Sequence, residues 1–205
     1  ILVTSATSNE GKSSVALSTA LILAEQGQRV LLIDADLRRG SIAKMTGLEG
    51  GVGVTTILVG DIGFADAIQH WGTRNLSVLP SGTIPPNPGQ LLTSDHLRDL
   101  VVDARKRFDV VVIDSPPVLA VSDPLWLAPV VDGILVVARY RFTKRHALRR
   151  TLDELESTRT RILGVVLNAV RRVDSSPYHD NDSSMPQTWR WRRSDRRGGR
   201  SKPRT

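Results

Sequence analysis

Lys12 and Ser13 are the side chains whose type and spacing point most directly to chemistry. They close the segment Ala6-Thr7-Ser8-Asn9-Glu10-Gly11-Lys12-Ser13-Ser14, which follows the apolar run Ile1-Leu2-Val3 and opens a helical stretch to about residue 25. Strand, small-residue loop, Gly-Lys-Ser and helix form a P-loop. Backbone N–H groups at such a turn, with the helix N-terminus, cradle phosphate oxygens. The lysine reaches the β- and γ-phosphates, and the hydroxyl holds Mg²⁺. The implied ligand is a nucleoside triphosphate. Ala6 stands where the usual pattern has Gly. The first turn must therefore be built in ordinary φ/ψ space, because Ala takes positive φ only at a cost.

Three aspartates extend the pattern. Val30-Leu-Leu-Ile-Asp34-Ala-Asp36-Leu-Arg38-Arg39 and Asp109-Val-Val-Val-Ile113-Asp114-Ser-Pro-Pro117 are apolar runs ending in carboxylates. Such runs read as buried parallel strands. In open α/β sheets ligands sit at the carboxyl ends of strands, so Asp34, Asp36 and Asp114 arrive where the triphosphate would lie. Asp114 fits the acidic motif that orders Mg²⁺, directly or through water.

These residues need a parallel sheet to carry them. Strands are expected at 1–4, 29–33, 75–79, 109–113, 132–138 and 162–167. Helices are expected at 13–26, 54–59, 64–70, 90–106, 123–129 and 143–158, with a further short helix after residue 41 and Gly27 as a C-cap. Alternating β and α segments with near-continuous apolar strands predict an α/β domain, its mostly parallel sheet covered by helices on both faces. That domain spans 1–172. Residues 173–205 turn to Ser, Asp, Asn, Pro and Arg with almost no aliphatics, a composition that reads as disordered.

The chain has no cysteine, which excludes disulfides and thiolate metal sites, and no apolar run long enough to span a bilayer. It starts on a strand without Met, which points to an upstream region. The net charge of +7 is concentrated at one end. Residues 190–205 hold eight of the 28 Lys and Arg against one of the 21 acids, leaving 20 of each in 1–189. Specific nucleic-acid binding by the folded part is therefore not expected.

The P-loop, the Asp34-Ala-Asp36-Leu-Arg-Arg strand end and Asp114-Ser-Pro-Pro together resemble the bacterial tyrosine kinases of capsule and exopolysaccharide export. Leu79-Pro-Ser-Gly-Thr-Ile-Pro-Pro-Asn-Pro-Gly-Gln-Leu-Leu92 and Gly164-Val-Val-Leu-Asn168 agree with the same family. The resemblance implies a P-loop NTPase fold of the deviant Walker type shared with partition and division ATPases. It also implies an ATP- and Mg²⁺-dependent protein-tyrosine kinase, acting on tyrosine-bearing tails and regulating polysaccharide synthesis and export.

By the same resemblance, Thr7, Ser8, Asn9, Glu10, Gly11, Lys12, Ser13 and Ser14 would wrap the phosphates. Asp36 would accept the tyrosine proton, Lys12 would contact the β/γ-phosphates, and Ser13, Asp34 and Asp114 would organise Mg²⁺ and its waters. Asn168 would be either an adenine contact or a polar strand end. The domain would lie at the cytoplasmic face of the plasma membrane, fused to or partnered with a two-span chain-length regulator, and a homo-oligomer is allowed. The family's upstream glutamate/arginine oligomerisation motif is absent from these 205 residues.

Other features leave choices open. Tyr178, in Ser175-Ser-Pro-Tyr-His-Asp-Asn-Asp182, is the candidate phosphosite, and Tyr140 is read as structural. The basic segment Thr143–Arg150 would dock an acidic tail, or would be a solvated face paired to Asp153 or Glu154. The Trp189–Arg204 end suits an anionic membrane surface. Two rival readings are a non-catalytic ATP-binding switch of a polysaccharide co-polymerase and a partition-type ATPase. The latter carries a signature lysine where this chain has Thr7.

Overall fold

The computed structural model describes residues 1–170. Its sheet holds seven strands: β1 (Leu2–Ser5), β2 (Val30–Asp34), β3 (Gln69–His70), β4 (Leu76–Leu79), β5 (Val110–Asp114), β6 (Ile134–Arg139) and β7 (Ile162–Asn168). Their order is β3-β4-β2-β5-β1-β6-β7, all parallel except the β3–β4 pair. Strands β1, β2 and β4 are buried throughout, and β5 is buried over its last three residues, as the unbroken apolar runs require.

Side-chain alternation sends each strand's residues to two cores. Leu2, Leu31, Ile33 and Ile113 join one cluster with Leu100, Val101 and Leu127. These come from α6 (Asp95–Arg107) and α7 (Asp123–Leu127). On strands β2 and β5, Val30, Leu32, Val112 and the two terminal aspartates alternate with the residues of that cluster. Helix α1 (Lys12–Glu25) packs on the sheet and buries Ala16, Leu17, Ala20, Leu21 and Ala24, a stripe at helical spacing. The chain leaves α1 through Gly27, in the left-handed region at φ 91°, whose N–H bonds to the Ala24 carbonyl.

Shorter helices fill the connections: α2 (Ile42–Thr46), α3 (Val54–Leu58), α4 (Phe64–Ala67) and α5 (Pro88–Leu92). Helix α8 (Arg145–Glu156) joins β6 to β7. Two expectations are corrected. Residues 64–70 are not one helix: α4 ends at Ala67, and Gln69–His70 pair antiparallel with Val78 and Ser77. Residues 90–106 are not one helix either. The chain breaks at Ser94, whose extended backbone (φ −76°, ψ 156°) separates α5 from α6.

Candidate nucleotide site

The loop between β1 and α1 is shaped by two left-handed residues, Asn9 (φ 67°) and Gly11 (φ 90°). Ala6 is buried and has no positive φ, so the loop turns later than the usual glycine would place it. Gly11 is required twice. Its backbone is left-handed, and the space a Cβ would take is held by the Asn168 side chain. The Asn168 amide donates to the Glu10 carbonyl at 3.0 Å. This end of β7 therefore braces the loop.

Glu10 is expected from the sequence only among the loop residues that wrap the phosphates; the structural role of its carboxylate gives no sign there. The residue is fully buried. One carboxylate oxygen accepts the Thr7 N–H at 2.8 Å, and the other accepts the Thr143 hydroxyl. Thr143 in turn accepts the Arg139 N–H at 2.7 Å, and the Arg139 guanidinium donates to the Asn9 carbonyl at 3.0 Å. The loop is thus tied to the end of β6 and to the residues leading into α8. No local pattern reveals this, because the partners are 133 positions apart. Thr143→Val keeps the shape and removes both bonds. Nucleotide affinity is expected to fall roughly fivefold, and titration with a fluorescent nucleotide would measure it.

Sequence pairing then delivers the aspartates. Asp34 and Asp114 occupy matching positions on the adjacent strands β2 and β5, both fully buried. Asp34 is held by three backbone N–H groups, from Ser41 (2.8 Å), Ile42 (3.0 Å) and Asp36 (3.2 Å). Burial nevertheless raises its carboxyl to about 6, helped by the Asp36 charge and opposed by those donors.

Asp114 differs, since among the described residues neither of its oxygens has a hydrogen-bond partner. Burial raises it to about 7. The Lys12 charge opposes the rise, the charges of Asp34 and Asp36 add to it, and the Ser13 hydroxyl lies near enough to favour the anion without making a well-formed bond. A buried carboxylate with two free oxygens beside a lysine and a serine hydroxyl suits a divalent cation or its water ligands.

Lys12 Nζ lies 3.2 Å from Asp36 Oδ2, both largely buried. These groups line an open cleft of about 540 Å³ with Ser8, Asn9, Ser13 and Arg39. Among the described residues no group of three or more His, Asp or Glu side chains could hold a metal unaided. Mg²⁺ rarely uses such cages, relying on phosphate and water oxygens. The structure thus brings Lys12, Ser13, Asp34, Asp36 and Asp114 together at one end of the sheet.

A ParA-type family model, described as a NUBPL iron-transfer P-loop NTPase, matches residues 1–182. The chain has no cysteine, so thiolate ligation of iron is not open to it. The tyrosine-protein kinase YwqD of Bacillus subtilis is 36% identical over 87% of this chain and 75% of its own length. The chain belongs to the bacterial tyrosine kinases. The solved kinase domain of Escherichia coli tyrosine kinase Etk superposes with a TM-score of 0.81, at 35% identity, over 87% of this chain and 70% of that domain.

Against full-length E. coli Etk, this kinase-family chain covers only 24%. A septum-site-determining protein MinD from Pyrococcus horikoshii, solved with Mg-ADP, shares the fold at TM-score 0.71 and 21% identity, covering 84% of this chain and 70% of that one. That likeness speaks to fold alone.

Other sequence readings fall around the site. Asn168 is seen bracing Glu10, and the adenine alternative is untouched by that bond. Arg150 pairs with Glu154 at 3.0 Å, the solvated-face arrangement, while Lys144, Arg145 and His146 are exposed. Tyr140 is exposed on a turn, its ring beneath the Arg141 guanidinium, rather than packed in the core. Tyr178, the basic Trp/Arg end and the proposed boundary at 172 lie outside the described residues.

Proposed function

We propose that this domain transfers the γ-phosphoryl group of ATP to protein tyrosine. The observation that carries the reading is the Lys12–Asp36 pair at 3.2 Å lining a cleft at the P-loop, within charge reach of the buried Asp114 carboxylate, which has no hydrogen-bond partner among the described residues. Family membership supports it. In the transfer, the bond from the γ-phosphorus to the β–γ bridging oxygen breaks and a bond to the phenol oxygen forms. The phenol proton goes to Asp36. A phenol has a pKa of about 10 in water, so a nearby carboxylate base lowers the barrier only in concert with attack.

Lys12 neutralises charge on the β/γ-phosphates, and backbone N–H groups of Ser8–Ser14 position them, the expected Thr7 N–H being committed to the Glu10 carboxylate instead. Ser13 and Asp114 would hold Mg²⁺ or its waters, with Asp34 contributing its charge from behind its three backbone donors. Mg²⁺, when bound, withdraws charge from the phosphates. Without nucleotide, Lys12 and Asp36 neutralise one another. Triphosphate oxygens would compete for Lys12 and release Asp36 as the base.

Two further readings rest on the family. The domain would act at the cytoplasmic face of a bacterial plasma membrane with a membrane-embedded chain-length regulator, governing capsule or exopolysaccharide export. The far greater length of relatives such as Etk supports a larger assembly. Among the described residues, no helix is long and apolar enough to cross a membrane. Tyr178 would be an autophosphorylation site.

The test is incubation with γ-labelled ATP and Mg²⁺, using the chain and a Glu-Tyr copolymer as acceptors, alone and with a regulator's cytoplasmic segment fused upstream. Label on phosphotyrosine is expected in the copolymer, and its loss from the chain in Tyr178→Phe would place the autophosphorylation site. ATP binding without transfer in either sample would leave the non-catalytic switch.

A further inference from the structure

Arg38 lines two cavities. One is the phosphate cleft; the other is an open groove of about 460 Å³ walled by Pro86, Asn87, Gln90 and Trp126. We propose that this groove holds the residues flanking the acceptor tyrosine, as an extended peptide carrying acidic side chains. The proposal rests on the kinase reading and adds to it the surface that selects the acceptor.

Position comes first. In-line transfer places the acceptor oxygen opposite the leaving group, on the side of the proposed base. Arg38 stands two residues beyond Asp36 and belongs to both cavities. A peptide whose tyrosine reaches Asp36 can therefore run past Arg38 into the groove.

Charge comes second. Arg38 is clamped to the fully buried Asp123, Nε to Oδ2 at 2.9 Å and Nη2 to Oδ1 at 3.0 Å. Those bonds use two of a guanidinium's five N–H donors. The rest sit on a side chain 40% exposed. A guanidinium fixed from behind is preorganised to take a carboxylate in front. Among the described residues no carboxylate lines the groove to compete for it.

The walls supply the third argument. Trp126 is 39% exposed, and its ring is seated on Gly89, where a Cβ would come within 2.8 Å of it. A ring backed by protein offers a rigid apolar face to a ligand. The prolines at 85, 86 and 88 stiffen the facing wall, and Asn87 and Gln90 are exposed amides able to bond an extended backbone. The occupant's chemistry is present in this chain's own sequence. Asp180 and Asp182 follow Tyr178 at two and four positions, a spacing that puts both on one side of an extended peptide.

The experiment uses the full chain and a fluorescein-labelled peptide with the sequence of residues 174–183, read by anisotropy with Mg-ADP present. Gln90→Lys is expected to tighten peptide binding roughly threefold and Gln90→Glu to weaken it by a similar factor. Trp126→Ala should weaken it roughly tenfold. Replacing Asp180 and Asp182 of the peptide with asparagine, and keeping Asp174, should remove most of the dependence on the charge at position 90. A peptide that does not bind, or whose affinity ignores that charge, overturns the groove. Phosphotransfer to the same peptide is followed in parallel. Charge-dependent binding without transfer would overturn the kinase reading and leave the groove standing.

Discussion

Lys12→Met is expected to lower tyrosine phosphorylation by roughly 10³-fold. The methionine keeps an unbranched stem in a position where the lysine is only 15% exposed, so the cleft keeps its shape. What disappears is the P-loop lysine proposed to contact the β/γ-phosphates. Charge on the transferred group and leaving oxygen is largest in the transition state, and removing a preorganised partner there costs more in rate than in ground-state binding.

Asp36 loses its ion-pair partner but keeps the Arg39 N–H at 3.0 Å, which limits the structural cost. The measurement is initial-rate kinetics with the Glu-Tyr copolymer beside a thermal melt. A preserved melt with a collapsed kcat is the expected pair of results. A rate within tenfold of wild type would show that Arg38 or Arg39, which also line the cleft, carries the charge instead.

What could be read in advance divides along a physical line. The P-loop, the Asp34-Ala-Asp36 strand end and the strand ending at Asp114 are contiguous segments whose own residues dictate both conformation and chemistry. The structure places them together because parallel pairing brings strand ends to one side, and Asp34 meets Asp114 in register. Contacts made across the chain carried no such signal. Glu10 looked like one more loop residue, yet it is a buried strut whose partner is Thr143. Asp123 looked like a helix start, yet it clamps Arg38 from 85 positions away.

Two errors of local structure have simple causes. A two-residue strand such as Gln69–His70 is too short to show a period of two, and only its pairing with β4 defines it. The break before α6 was announced by Ser94-Asp95, a cap-type pair inside an otherwise helical pattern. There the serine hydroxyl bonds back to the Leu91 carbonyl at 2.7 Å, closing α5 rather than capping α6.

Asp114→Asn should separate stability from function in opposite directions. The Asp114 carboxyl rises from 3.8 to about 7 in the folded protein because it is buried, with no hydrogen-bond partner among the described residues. A group whose folded pKa exceeds its unfolded value binds the extra proton in the native state. The contribution of Asp114 to stability is therefore greatest below pH 4, falls as the pH climbs toward 7, and levels off above it. The full step corresponds to about 4 kcal/mol, an upper figure for a charge that solvent does not reach. Asparagine removes the charge but leaves a buried amide to be satisfied, so about 2 kcal/mol of net gain is expected at pH 8.

Urea melts in the presence of a chelator would show that gain at pH 8 and little at pH 4. Phosphotransfer by the same variant should drop by roughly 10²- to 10³-fold if, as proposed, the carboxylate holds Mg²⁺ or its waters. Mg-nucleotide should then stabilise wild type more than the variant, which closes the thermodynamic link between the two effects. A variant that is no more stable than wild type at pH 8 would mean that the Asp114 charge is already compensated in the nucleotide-free protein. The site would then have to gain its affinity for the metal elsewhere.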